Sequence, residues 1–184
     1  MTLATIRLGR TGVATTLRDG RLTVAIGEAQ AYGGVLKGAL VLAKGPAGAD
    51  IKSQLQFADV DLESCLGELF GIRKLEGKGQ LTLSIEATGD SMMALTRTLA
   101  GTGSLTARQG AIAGFNVEQL LKRLEQRPLS IGGDFRRGRT PFERFSATVR
   151  IADGTANVDE VRIEGGAVRV ELGGTSFIPT RELD

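Results

Sequence analysis

Apolar and polar residues alternate with a period of two along most of the chain. In residues 81–85, for example, single polar residues separate Leu81, Leu83 and Ile85. Such alternation places apolar side chains on one face of a β-sheet and polar side chains on the other, and sheets of this kind are mostly antiparallel. The other alternating stretches are residues 21–27, 51–57, 145–151 and 168–172, the last with Val168, Val170 and Leu172.

Short runs of turn-forming residues separate the alternating stretches. Such runs between apolar segments are typical of hairpins, which join consecutive strands of an antiparallel sheet. The turn signals are Asp19-Gly20, Gly33-Gly34, Gly45-Pro46, Gly77-Lys78-Gly79, Asp153-Gly154, Gly165-Gly166 and Gly173-Gly174.

Three further stretches have apolar residues at helical spacing. They are residues 61–72, 91–99 and 116–127. The third has the strongest helix signals, because Asn116 and Gln119 stand at capping-box positions and Pro128 ends the stretch. The apolar stripes are Leu62, Leu66, Leu69 and Phe70, then Met92, Leu95 and Leu99, then Val117, Leu120, Leu121 and Leu124.

These patterns predict a mainly β fold with short helices, of the α+β class. We expect about a dozen short, mostly antiparallel strands in a strongly curved sheet or β-groove, with about three short helices on its apolar face. Residues 1–184 are expected to form a single domain. Residues 128–140, rich in glycine and arginine, are expected to form a mobile surface loop.

The residue content argues against most kinds of catalysis. The 184 residues include no His and a single Cys, Cys65. This removes Ser-His-Asp and Cys-His arrangements, His-ligated metals and an intrachain disulfide. We therefore expect a protein that is not an enzyme and that uses no metal or cofactor. Cys65 lies beside an apolar stripe with no neighbouring cation, so we expect a buried structural thiol.

Charge and hydropathy limit the partners. The net charge of +2 is too balanced to favour nucleic acid. No apolar run approaches the roughly 18 residues that span a bilayer, and no signal-peptide block is present. In the basic region, Arg136, Arg137 and Arg139 are candidate contacts for anionic lipid headgroups, and a solvated arginine-rich loop is the alternative. The region comprises Lys122, Arg123, Arg127, Arg136, Arg137, Arg139, Arg144 and Arg150.

Several motifs occur in a characteristic order. A hairpin runs from Asp19-Gly20 to Gly38 and contains Tyr32-Gly33-Gly34. It is followed by GKGQLTLSIEATG at residues 77–89, LAGTGSL at residues 99–105 and QGAIAGFN at residues 109–116. Residues 140–174 complete the series. In this order the motifs resemble the C-terminal region of AsmA-family proteins.

The resemblance implies a long envelope protein of Gram-negative bacteria, anchored by an N-terminal inner-membrane helix and otherwise periplasmic. It also implies outer-membrane biogenesis and, through kinship with bridge-like lipid-transfer proteins, phospholipid transport between membranes along a hydrophobic β-groove. We expect this chain to be a fragment of such a protein, at the periplasmic face of the inner membrane. Membrane contact is then expected only through parts outside this chain or through its basic loop.

The apolar strand faces are the candidate binding site. In the functional interpretation, Leu81, Leu83, Ile85, Val168, Val170 and Leu172 line an open groove that holds acyl chains. A closed core requires the same alternation, so the pattern leaves both open. Two functions follow: a lipid-handling module whose partner is phospholipid or another envelope lipid, and a structural or interaction module that binds envelope proteins and no lipid.

Overall fold

Nine strands form one antiparallel sheet in the part of the chain that the structure describes. The computed structural model describes residues 11–114, 138–165 and 168–177, the last range through its backbone alone. Each strand pairs with the next in sequence, so β1 and β9 are the edges of the sheet. The strands are β1 (Thr11–Arg18), β2 (Arg21–Ala31), β3 (Gly34–Gly45), β4 (Gly48–Asp61), β5 (Leu75–Gly89), β6 (Ala100–Ala113), β7 (Arg139–Ala152), β8 (Thr155–Gly165) and β9 (Val168–Phe177).

Two-residue turns explain this simple strand order. At Asp19-Gly20, which joins β1 to β2, both residues have positive φ, 48° and 72°. Two positive φ angles define the hairpin turn whose twist matches that of the flanking strands, and Asp-Gly is among its preferred sequences. Asp153-Gly154 repeats the geometry between β7 and β8, with φ of 51° and 70°.

Strand pairing separates the sheet into an apolar and a polar face. Leu55 lies opposite Leu83, and Phe57 lies opposite Leu81. Directly opposed residues share a face, so the apolar residues of successive strands form one continuous surface. We call this surface the apolar face and the other side of the sheet the polar face.

Two short helices, α1 and α2, connect strands in the described residues. α1 (Leu62–Phe70) joins β4 to β5, and α2 (Met92–Arg97) joins β5 to β6. Each begins at a side-chain cap. Asp61 accepts a hydrogen bond from the N–H of Ser64 at 2.9 Å, and Ser91 caps α2 in the same way.

The main core lies between α1 and the adjoining end of the sheet. Leu62 and Cys65 of α1 are fully buried, together with Val60 at the end of β4. Burial of the α1 stripe removes apolar surface that a nine-residue helix would otherwise expose, which is the main source of stability for short helices. The other core residues are Ala29, Ala31, Leu36, Phe57, Leu66, Leu75, Leu81, Ala107 and Phe142.

The structure confirms an antiparallel, mainly β fold with short helices, and it confirms the two helices predicted in residues 61–72 and 91–99. About a dozen short strands were expected, and the described residues form nine strands of 8 to 15 residues. Gly77-Lys78-Gly79, which indicates a turn in the sequence, lies within β5. Gly77 has a φ of 118° and lies at a register shift in the pairing of β5 with β6. Pairing with β6 is present on both sides of this shift, so the strand continues through Gly77.

One predicted helix contact is wrong, and one predicted helix lies outside the described residues. Met92 was expected in a buried stripe but is 69% exposed, because α2 approaches β5 through Ala94 and Leu95. The predicted third helix, residues 116–127, lies outside the described residues, as does most of the predicted loop at residues 128–140.

Candidate functional site

The two helices rest on the same face of β5, at its opposite ends. Gly79 and Gly89 are ten residues apart in a strand without a register shift between them, so both positions face the apolar side. A Cβ at Gly79 would lie 2.9 Å from the Leu62 side chain of α1, and one at Gly89 would lie 2.7 Å from Cβ of Ala94 in α2. Glycine is therefore required at both points of helix contact, which are about 34 Å apart along the strand.

Along β5, the apolar-face residues are buried near the two helix contacts and half-buried between them. Leu81 lies in the core beneath α1 and is only 5% exposed, and Ala87 is buried toward the α2 end. Between them, Leu83 and Ile85 are half-buried. The two helices thus border the apolar face on either side, and among the described residues no other helix covers its middle at β5.

Cross-strand pairing extends this uncovered middle over seven strands. Two rows of directly opposed residues cross the sheet from β2 to β8, a distance of about 29 Å, and every residue in them except the buried Ser53 is half-buried. We call them the central rows. They consist of Ile26, Gly38, Leu55, Leu83, Gly103, Val149 and Val158, and of Val24, Leu40, Ser53, Ile85, Gly101, Ile151 and Ala156.

Further apolar surface is exposed around the central rows. Leu17 and Val13 of the edge strand β1 lie opposite Leu22 and Ile26 and are largely exposed, Leu17 at 71%. Contiguous apolar surface of this kind typically marks a site for a ligand or partner. Four more exposed apolar side chains lie on or beside the bordering helices: Phe70, Ile72, Met92 and Met93.

The structure places the six residues predicted for the groove in three settings. Leu81 belongs to the core, whereas Leu83 and Ile85 belong to the central rows. In β9, backbone pairing sets Val170 opposite Ile163 and Leu172 opposite Val161. Val168 pairs with Gly165, and the side chains of these three β9 residues lie outside the described part of the structure.

Only one of the three arginines predicted to contact headgroups lies in the described residues. Arg139 begins β7 and forms an ion pair with Glu76 of β5, at the α1 end of the sheet. Arg136 and Arg137 lie outside the described ranges.

Most members of the central rows are not identified by the sequence pattern. Leu55, Ile26 and Val149 carry the same period-two signal as Leu83. Their membership of one row depends on strand register, however, and a row is assembled from residues far apart in the chain. The alternation alone therefore identifies the face of each residue but not its row.

Reactive groups are few in the described residues. They contain no cluster of three or more His, Cys, Asp or Glu side chains able to hold a metal ion. Burial, reinforced by Asp61 and Glu68, raises the pKa of the Cys65 thiol from 9.0 to about 11. Cys65 is therefore a buried thiol, as the sequence predicts, and it is protonated at neutral pH.

Among the described residues, no helix is both long and apolar enough to cross a membrane. The model of the AsmA family matches residues 15–161. The matched range begins in β1, ends in β8, and includes both helices and both central rows. No curated protein and no solved structure matches the chain.

Proposed function

Because the chain belongs to the AsmA family, we propose that it is a non-catalytic module that holds phospholipid acyl chains along its central rows. Membership of this family points to a role related to the cell envelope and the outer membrane. We further propose that the module lies at the periplasmic face of the inner membrane. Its activity there would be a step in phospholipid transport between membranes and hence in outer-membrane biogenesis.

The observation that carries the proposal is the part of the apolar face of β5 that lies between α1 and α2. It contains Leu83 and Ile85 of the central rows, and we call it the uncovered strip. Leu83 and Ile85 remain half-buried, although Leu81 on the same strand is buried in the core cluster that includes Leu62 and Leu66 of α1. An acyl chain on the central rows would remove apolar surface of both partners from water, worth about 25 cal/mol per Å². The strip lies on one face of the sheet, outside the core beside α1, so a chain has access along it without any opening of the core.

Bulges support the further proposal that the sheet curves around this strip. Asp59 in β4 and Gln109 in β6 have φ of 53° and 54°, and the pairing shifts register beside each of them. A β-bulge bends its strand and increases the local twist. Bulges in strands on both sides of β5 therefore favour a concave surface over a flat one.

A second function is favoured by the edge strand β1. All eight residues of Thr11–Arg18 are exposed, and β1 pairs with only one other strand in the described residues. An exposed edge offers unpaired backbone groups to a partner strand. In this alternative the chain is a structural or interaction module that binds another envelope protein by strand addition and binds no lipid.

Three glutamate variants on one strand separate the two functions. Leu83→Glu places a carboxylate in the uncovered strip, Thr82→Glu places it on the polar face, and Leu81→Glu buries it beneath α1. If the strip holds acyl chains, wild type and Thr82→Glu will carry co-purifying phospholipid and bind a fluorescent fatty acid, and folded Leu83→Glu will lose both. Leu81→Glu will unfold, because a buried unpaired charge has no access to water.

The readouts are thermal unfolding, mass spectrometry of bound lipid and fatty-acid titration. A wild-type chain without lipid and without fatty-acid binding contradicts the lipid-handling function. Unfolding of Leu83→Glu to the same extent as Leu81→Glu indicates that the strip is part of a closed core, and the interaction module then remains.

A further inference from the structure

Three cations lie side by side on the polar face of the sheet. Lys78 of β5 lies directly opposite Arg108 of β6, and Arg108 lies directly opposite Arg144 of β7. Adjacent strands are about 4.8 Å apart, so three positive charges project from backbone positions within about 10 Å. Like charges directly opposed across strands destabilise a sheet. We call these residues the cationic row.

Two other cations of the polar face are paired with carboxylates. Lys52 lies opposite Glu86 and forms an ion pair with it at 3.1 Å, and Arg150 forms an ion pair with Asp159, also at 3.1 Å. Lys78 and Arg108, in contrast, have no ion pair with any other residue that the structure describes. Lys78 also lies opposite Asp61 of β4, whose carboxylate accepts a hydrogen bond from the N–H of Ser64 at the start of α1. Two of the three cations in the row therefore have no ion pair among the described residues.

Among the described residues, Arg144 is the member of the cationic row that forms an ion pair with a carboxylate. Its guanidinium reaches Glu164 of β8 at 3.7 Å, which is longer than a charge-assisted hydrogen bond. The row therefore carries more positive charge than its ion pair neutralises.

The cationic row lines a depression of 820 Å³ on the polar face. Polar side chains able to donate hydrogen bonds surround the cations there: Gln80, Thr106 and Ser146. Two carboxylates, Asp59 and Glu164, also line the depression, together with Arg162, which forms an ion pair with Glu160 at 2.6 Å. Ammonium, guanidinium, amide and hydroxyl donors converging on one depression suit the oxygens of a compact anion with more than one negative charge.

We propose that the cationic row binds a phosphate group, supplied either by a lipid headgroup at an anionic membrane surface or by a soluble phosphate compound. The bound anion offsets the mutual repulsion of Lys78, Arg108 and Arg144, of which Arg144 alone forms an ion pair with another described residue. Because the site lies on the opposite side of the sheet from the central rows, the proposal does not rest on acyl-chain binding.

The test compares a double variant with a matched control on the same face. Lys78→Gln/Arg108→Gln removes two cations of the row, and Lys52→Gln removes a cation that is already paired with Glu86. The probes are inorganic phosphate, and vesicles of phosphatidylcholine with and without phosphatidylglycerol. We expect the double variant to bind the phosphate-bearing probe about 25-fold more weakly, at about fivefold per cation, whereas Lys52→Gln binds like wild type.

The two probes identify the source of the phosphate. Binding of inorganic phosphate that competes with vesicles indicates a site for soluble compounds. Binding of phosphatidylglycerol vesicles alone, weakened by salt, indicates a membrane surface. Either result, lost in the double variant, supports the site. Equal binding by wild type and the double variant overturns it, as does a wild type that binds neither probe.

The variant Arg108→Glu distinguishes a binding role of the cationic row from a purely structural role. The substitution sets a carboxylate between Lys78 and Arg144, so we expect the melting temperature to rise while binding of the phosphate-bearing probe is abolished. A lower melting temperature with undiminished binding contradicts the proposal. Fatty-acid binding is expected to be unchanged in all these variants, so failure here is distinguishable from failure of the lipid-handling function.

Discussion

Cys65 of α1 is fully buried in the core, and the environment of its thiol has a measurable consequence. Burial is the main cause that raises its pKa from 9.0 to about 11, with Asp61 and Glu68 contributing. Between these two pH values the unfolded thiol loses its proton while the folded one keeps it. The free energy of unfolding therefore falls as the pH rises through this window.

We expect wild type to lose about 1–3 kcal/mol more stability than Cys65→Ala over this pH window. The measurement is urea unfolding of both proteins at neutral pH and at several alkaline pH values. Burial also raises the pKa of Tyr32, to about 12, but this residue is present in both proteins and its effect cancels. Parallel pH profiles would show that the Cys65 thiol ionises equally in the folded and unfolded chain.

At the scale of elements, α1 holds one end of the apolar face closed. Leu66 is buried against the sheet, whereas Phe70, on the last turn of the same helix, is 50% exposed. We expect Leu66→Ala to lower the free energy of unfolding by about 2–5 kcal/mol, because it opens a cavity in the core. The matched truncation Phe70→Ala should cost less than half as much. Equal losses from the two variants would mean that α1 is not docked as described.

The sequence predicts α1 well because its signals are local. Asp61 stands at the cap position and an apolar stripe follows at helical spacing. The same local reasoning fails at Gly77-Lys78-Gly79, where glycines indicate a turn but the strand continues. Gly79 is required by contact with Leu62 of α1, and a contact between two elements leaves no signal in the local sequence.

At the scale of the whole molecule, the one-sided apolar sheet follows from the sequence and the uncovered strip does not. Leu81 and Leu83 have the same alternation, yet Leu81 is buried in the core and Leu83 is half-buried. The cationic row cannot be predicted from the sequence pattern either, because Lys78, Arg108 and Arg144 come from three strands and are brought together by strand register. Alternation therefore predicts the face of a residue, and only the assembled sheet shows its neighbours and its cover.

The central claim is that acyl chains lie on the central rows, and photo-crosslinking tests it most directly. A fatty acid with a photoreactive group in its acyl chain is bound to the 184-residue chain and irradiated, and the modified residues are mapped by peptide mass spectrometry. If acyl chains lie on the central rows, adducts form at apolar-face positions such as Leu55, Leu83 and Val149, and none form at Thr82 or Ser84, which flank Leu83 on the polar face. Adducts spread equally over both faces, or no saturable labelling at all, would contradict it.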